Sequence, residues 1–141
     1  MPGSRCLDLF AGSGALGFEA ASRGAAEVVM IEQNRDVASV LMQNISLLDA
    51  GNIQLVIADA LEWLTRNQHV FDIVFLDPPY TAGLLGQCCK ILQSGQSLAE
   101  NAKIYVEHAL RDDKIVIPES WECLKDRSAG QVAYKLFSRA R

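Results

Sequence analysis

No apolar stretch in this 141-residue chain approaches the roughly 20 residues that a membrane span requires; the longest, at 28–31 and 73–76, are soon interrupted by charge. The opening MPGSRCLDLF lacks the basic-then-apolar layout of a signal peptide, so a soluble cytoplasmic protein without membrane contact is expected. Metal-binding and disulfide patterns are missing as well. The four cysteines (Cys6, Cys88, Cys89 and Cys123) show no CxxC spacing and two are adjacent, which disfavours a disulfide framework or zinc site; reduced thiols packed as small apolar groups are expected. His69 and His108 are the only histidines and lie far apart in sequence, so no metal is expected. Repeats, low-complexity stretches and proline-rich linkers are absent. With 50% hydrophobic residues the composition is that of a compact globular domain spanning 1–141, long enough to bury about 70% of its unfolded surface. No long apolar surface stripe is visible, and a monomer is expected.

Positive charge is also scarce. The net charge is −4, which alone argues against a nucleic-acid partner, yet the deficit is uneven. Residues 1–110 carry 6 Lys+Arg against 12 Asp+Glu, and residues 111–141 carry 7 against 5. Lys125, Arg127, Lys135, Arg139 and Arg141 in that tail offer contacts to phosphate. With Glu122 and Asp126 among them, an ordinary charged hairpin is an equal alternative.

What the chain does contain is an alternating rhythm. CLDLF at 6–10 reads as a strand that stops at AGSGALG, and the following FEAAS reads as helix ending near Gly24. EVVMIE at 27–32 is a second strand, and Asn34 is placed to cap a helix carrying Val37, Val40, Leu41, Ile45 and Leu48 on one face. NIQLVIA at 52–58, a short helix at 60–66, FDIVFL at 71–76, a helix at 84–92 and KIYVE at 103–107 continue the alternation. Two extended runs at 121–128 and 131–138 flank Ala129 and Gly130 and predict a closing β-hairpin. The expected fold is α/β and Rossmann-like: a mostly parallel sheet with helices on both faces and a C-terminal antiparallel β-hairpin.

The chemistry concentrates where strands end. Gly12-Ser-Gly14-Ala-Leu-Gly17 satisfies G-x-G-x-x-G between a strand and a helix, and Glu32 closes the next strand about 20 residues on. Glycines there let the backbone approach a nucleotide-like ligand, while the acid accepts hydrogen bonds from ribose hydroxyls. A simple helix-capping turn is the bland alternative. Asp8 lies inside the apolar strand before the glycines, where an unpaired carboxylate is costly, so it is expected at the ligand end with a donor or cation as partner. That favours S-adenosylmethionine, which carries an ammonium and no phosphate, over a dinucleotide. Asp8, Glu32, Asp59 and Asp77 all fall near the C-terminal ends of successive strands, the rim where open α/β sheets bind ligands. Asp59 equally suits a helix cap. The candidate cofactor-binding set is Asp8, Phe10, Ala11, Gly12, Ser13, Gly14, Glu32, Gln33, Asp59 and Ala60.

DPPY at 77–80 follows the fourth strand. An exocyclic amine on a nucleobase is a poor nucleophile because its lone pair is delocalised, and two acceptors drawing on its N–H bonds free that pair. The Asp77 carboxylate and Pro78 carbonyl supply them, Pro78 and Pro79 stiffen the backbone, and Tyr80 offers a face on which an unstacked base can lie. Asp77, Pro78, Pro79 and Tyr80 are the candidate catalytic residues; a plain proline-rich turn is the alternative. Glu107 and His108 end the fifth strand near the same rim, either beside the target base or facing water. Trp63 and Trp121 read as packing residues and His69 as a loop residue.

LDLFAGSGALGFEAASRGA at 7–25, IEQNR at 31–35, FLDPPY at 75–80, IYVEH at 104–108 and AGQVAYKLF at 129–137 together carry a resemblance. The chain resembles the class I S-adenosylmethionine-dependent methyltransferases, and more closely the bacterial family that methylates guanine N2 in 16S ribosomal RNA. The resemblance implies S-adenosyl-L-methionine as cofactor and 16S ribosomal RNA or the small ribosomal subunit as partner. It implies further that Asp8, Gly12 and Gly14 surround the methionine part, Glu32 the ribose and Asp59 the adenine, with Asp77 to Tyr80 holding the amine. One departure stands out: the family has a basic N-terminal extension before the first strand, and this sequence starts a few residues short of it. Adenine-N6 methylation of DNA fits DPPY equally, a cofactor-binding module inactive without that extension is a non-enzymatic alternative, and a nicotinamide-dependent oxidoreductase fits the glycines alone.

Overall fold

The computed structural model describes residues 2–79, 83–111 and 115–139. Strands and helices alternate in the order β1 (Arg5–Asp8), α1 (Ala15–Ser22), β2 (Glu27–Glu32), α2 (Arg35–Leu47), β3 (Ile53–Ile57), α3 (Ala60–Arg66), β4 (Phe71–Leu76), α4 (Leu84–Ser94) and β5 (Leu98–Ala109). The hairpin β6 (Trp121–Ala129) and β7 (Val132–Arg139) closes the chain. One seven-stranded sheet results, ordered β3-β2-β1-β4-β5-β7-β6. The first five strands pair in parallel, and β7 pairs antiparallel with both β5 and β6.

Alternation along the central strands divides the core into two layers. Leu7, Val29, Ile31, Val74, Leu76, Ile104 and Val106 face one side with Leu64 of α3 and Leu85, Cys88, Cys89 and Leu92 of α4. Cys6, Val28, Met30 and Phe75 face the other with Ala20 of α1 and Leu41 of α2. Both faces are thereby covered, which is why these strands read as nearly continuous apolar runs. The strand order reverses between β1 and β4, leaving a crevice above their C-terminal ends. Among the described residues, no helix is long and apolar enough to cross a membrane.

Helix starts are set locally. The Asn34 side chain accepts hydrogen bonds from the amides of Asp36 and Val37 and caps α2. α1 begins at Gly14, whose φ of +85° is a left-handed conformation, and a Cβ there would meet the Phe18 ring at 2.5 Å and Leu41 at 2.7 Å. Gly14→Ala is therefore expected to cost about 2–4 kcal/mol, combining left-handed strain with overpacking. Urea denaturation of parent and variant checks the figure.

Three expectations need correction. Val40 and Leu48 are 56% and 64% exposed and do not join the buried stripe of α2, because the helix leans on the sheet through Ala38 and Leu41, with Val37 partly buried beside them. Cys123 is exposed, since β6 is an edge strand with only Trp121 buried; the charges of Glu122, Lys125, Asp126 and Arg127 guard that edge against further pairing. β5 starts at Leu98, five residues before the expected 103, since pairing of Phe71 with Leu98 across an irregular step recruits the polar LAENA segment into the sheet.

Candidate functional site

Two adjoining clefts open at the C-terminal ends of the parallel strands. One, of about 530 Å³, is lined by Phe10, Gly12, Glu32, Gln33, Asp59 and Ala60 and by Asp77, Pro78 and Pro79. The other, of about 740 Å³, is lined by Asp77, Pro78, Pro79, Glu107, His108 and Arg111, among others. The Asp-Pro-Pro segment after β4 is the wall between them.

Asp8, 1% exposed, ends β1 beside Leu9 of the first cleft and itself lines neither cleft. Its Oδ2 accepts a hydrogen bond from the Gly17 amide at 3.2 Å, so a carboxylate from β1 caps the first turn of α1, where Gly14 has no side chain to do so. Gly17 has to be small here: a Cβ would strike the Met30 side chain and lie 3.3 Å from Asp8 Oδ2. The other oxygen, Oδ1, is buried without a hydrogen-bond partner. Burial pushes the Asp8 pKa up to about 7 against the opposing pull of the Gly17 and Phe10 amides, and the charges of Asp77 and Glu32 add to the rise.

Glu32 clasps the glycine loop. Its Oε1 accepts from the Gly12 amide and its Oε2 from the Asn34 amide, both at 2.9 Å, fixing the loop to the start of α2. Each oxygen keeps a lone pair for a further donor. The loop is also held by its backbone, with the Ala11 amide on the Ile31 carbonyl and the Gly14 amide on the Ala11 carbonyl. Asp59 does cap α3, accepting from the Glu62 amide at 3.0 Å, and also forms part of the cleft wall. Ala11 and Gly14 are buried under the loop, whereas Ser13 is exposed and lines neither cleft.

Asp77 is accessible to water yet sits in a concave wall, and partial desolvation together with the neighbouring Glu107 carboxylate raises its pKa to about 6. Glu107 in turn accepts a hydrogen bond from the Tyr105 hydroxyl at 2.7 Å. His108 directs Nδ1 at the Ala109 carbonyl, 2.9 Å away, and its Nε2 is buried without a partner. Tyr80 lies outside the described residues.

Sequence reading missed the apolar lining of the first cleft: Leu9, Ile31, Val37, Ala58, Leu61 and Leu84. The available signal was position, since Leu9, Ile31 and Ala58 directly adjoin Asp8, Glu32 and Asp59 at strand ends. Trp63 packs on Phe71, Trp121 is buried with its Nε1 donating to Gln93, and His69 is exposed, all as expected.

The chain matches known proteins over almost its whole length. A family model described as conserved hypothetical protein 95 matches residues 1–138. The ribosomal RNA small subunit methyltransferase D of Escherichia coli is 42% identical over 136 residues, covering 96% of this chain and 69% of that protein. The chain belongs to this family of methyltransferases. A relative of the same description from Haemophilus influenzae is 41% identical over 138 residues, covering 95% of this chain and 71% of its own length. The solved structure of yhhF from Escherichia coli superposes with a TM-score of 0.94 at 41% identity, over 99% of this chain and 79% of that one.

The family's cofactor is S-adenosyl-L-methionine, and the first cleft fits it. The Glu32 oxygens have acceptor capacity to spare, the apolar lining suits a flat heterocycle, and beside the lining residue Leu9 the buried Asp8 Oδ1 has no hydrogen bond and calls for a donor or a cation. A pyrophosphate would instead meet the charges of Asp8, Glu32, Asp59 and Asp77.

Proposed function

We propose that this protein methylates the exocyclic N2 of a guanine in small-subunit (16S) ribosomal RNA. The observation that supports this reading is the Asp77-Pro78-Pro79 wall shared by two clefts, which offers one set of acceptors to a candidate cofactor cleft and to a second cleft with ample room for a base. The names of the relatives supply the ribosomal RNA.

Asp8 holds the cofactor's ammonium, Glu32 its ribose hydroxyls, and the rim around Asp59 and Ala60 its adenine, with Phe10, Ala11, Gly12, Ser13, Gly14 and Gln33 shaping the loop around it. Bound there, S-adenosyl-L-methionine supplies an electrophilic sulfonium methyl. The Asp77 carboxylate and the Pro78 carbonyl accept the two N–H bonds of the target amine and aim its lone pair across the wall; Pro79 stiffens the backbone and Tyr80 stacks the base. Positioning, more than proton abstraction, carries the rate.

Two measurements test the assignment. Calorimetric titration is expected to detect S-adenosylhomocysteine and no NAD. Labelled methyl transfer to small-subunit ribosomal RNA, followed by nuclease digestion and base mapping, is expected to yield N2-methylguanine. A methyl on adenine, or binding of NAD alone, overturns the reading.

A further inference from the structure

Glu107 is a positioned carboxylate with no part in the scheme above. β4 and β5 run in parallel register with Leu76 opposite Val106, so Asp77 and Glu107 stand one residue beyond the last registered pair, on neighbouring strands and on the same side. The Glu107 carboxylate lies close enough to help raise the Asp77 pKa, and both residues line the second cleft. Glu107 is half-buried and fixed from below. Tyr105 donates its hydroxyl to Oε1, and the Tyr105 ring is itself held edge-on by Phe75 at 6.0 Å. Burial and the Glu107 carboxylate raise the Tyr105 pKa, so the phenol stays a donor to Oε1, and that bond leaves the capacity of Oε2 for another donor.

An aligned pair of acceptors has a specific complement. The Watson–Crick edge of guanine carries two adjacent donor groups, the N2 amine and N1–H. Adenine presents its amine beside a bare N1 lone pair. We infer that Glu107 is the base-selecting residue of this site, accepting guanine N1–H while Asp77 and Pro78 hold the N2 amine and repelling the N1 lone pair of adenine. The inference rests on the guanine-N2 reading and adds the group that makes the choice. A hydrogen-bonding site of this kind discriminates strongly because the wrong base leaves a buried acceptor facing another acceptor.

The test uses the full chain and small-subunit ribosomal RNA assembled by ligation, with guanine or 2-aminopurine at the position found by base mapping. 2-Aminopurine keeps the reacting amine and has no N1–H. The parent enzyme is expected to methylate guanine about 100-fold faster, in kcat/KM, than 2-aminopurine. Glu107→Gln, whose amide can donate to the N1 lone pair, is expected to lose roughly 10- to 100-fold on guanine and to gain on 2-aminopurine, narrowing the ratio at least 10-fold. Loss of a merely structural residue would lower both rates together.

A second readout is the pH profile. Asp77 is faced by Asp8 from β1 and by Tyr105 and Glu107 from β5, with His108 and Arg111 on the same cleft. Removing the Glu107 charge is expected to move the acid limb of kcat/KM to lower pH. Equal parent rates on guanine and 2-aminopurine, or an unchanged ratio in Glu107→Gln, overturn the inference alone. A methyl mapped to adenine overturns the guanine reading with it.

Discussion

Asp77→Ala is expected to lower methyl transfer by about three orders of magnitude while leaving S-adenosylhomocysteine affinity within a few-fold of the parent. The split follows from the position of the wall. Asp77 borders both clefts, but on the proposed reading Glu32 and Asp59 in the wall of the cofactor cleft, with Asp8 beside it, hold a cationic, hydroxyl-bearing molecule without it. On the proposed reading the amine is held by Asp77 and the Pro78 carbonyl. Losing one of two acceptors leaves the nucleophile's lone pair in the ring, an effect felt in the transition state and hardly at all in cofactor binding. Single-turnover transfer to small-subunit ribosomal RNA, paired with calorimetry, separates the two. Full transfer by Asp77→Ala would remove Asp77 from the chemistry.

The same carboxyl predicts a pH dependence. Ionised Asp77 is the stronger acceptor of an N–H bond, and its pKa is raised to about 6 by partial desolvation and the Glu107 charge. The parent's kcat/KM should therefore rise with pH through about 6 and level off above it. Asp77→Ala, having no such group, should show a low and flat profile over that range.

Much of this was legible in the sequence because its signals are local. G-x-G-x-x-G between a strand and a helix, Asn34 before an amphipathic run and DPPY after FDIVFL each need only neighbours in the chain, and β2, α3 and β4 fall at the expected residues. The long-range features were not legible. Glu32 clasping the Gly12 amide, Asp8 capping α1 from β1, and the pairing that brings Glu107 beside Asp77 all depend on strand order and register. Val40 and Leu48 misled because helical periodicity identifies an apolar face and not how wide a strip of it the sheet covers. The strand expected from the sequence leaves out LAENA because pairing partners, not intrinsic propensity, hold its polar residues in β5.

Asp8→Asn is expected to make the protein more stable and the enzyme worse. Folding raises the Asp8 pKa from 3.8 to about 7, so the folded state holds this proton more tightly than the unfolded chain. Stability is then fully present below pH 4 and declines as the pH climbs towards 7, where the buried carboxylate has lost its proton. Three pKa units correspond to about 4 kcal/mol, and a neutral amide of the same shape avoids that cost. At pH 8 the variant should melt about 10–15 °C above the parent, and at pH 4 the gap should close, as a thermal scan at both values will report. The opposite trend is expected for the cofactor. An ammonium beside Oδ1 turns the costly charge into a paired one, so removing it should weaken S-adenosylhomocysteine binding about 100-fold or more. Pairing also lowers the Asp8 pKa, and the parent should release close to one proton on binding at pH 6 where Asp8→Asn releases none. Calorimetry in buffers of different ionisation enthalpy measures that proton directly. Tight binding by Asp8→Asn with no proton difference would mean that Asp8 serves the fold of the glycine loop and not the ligand.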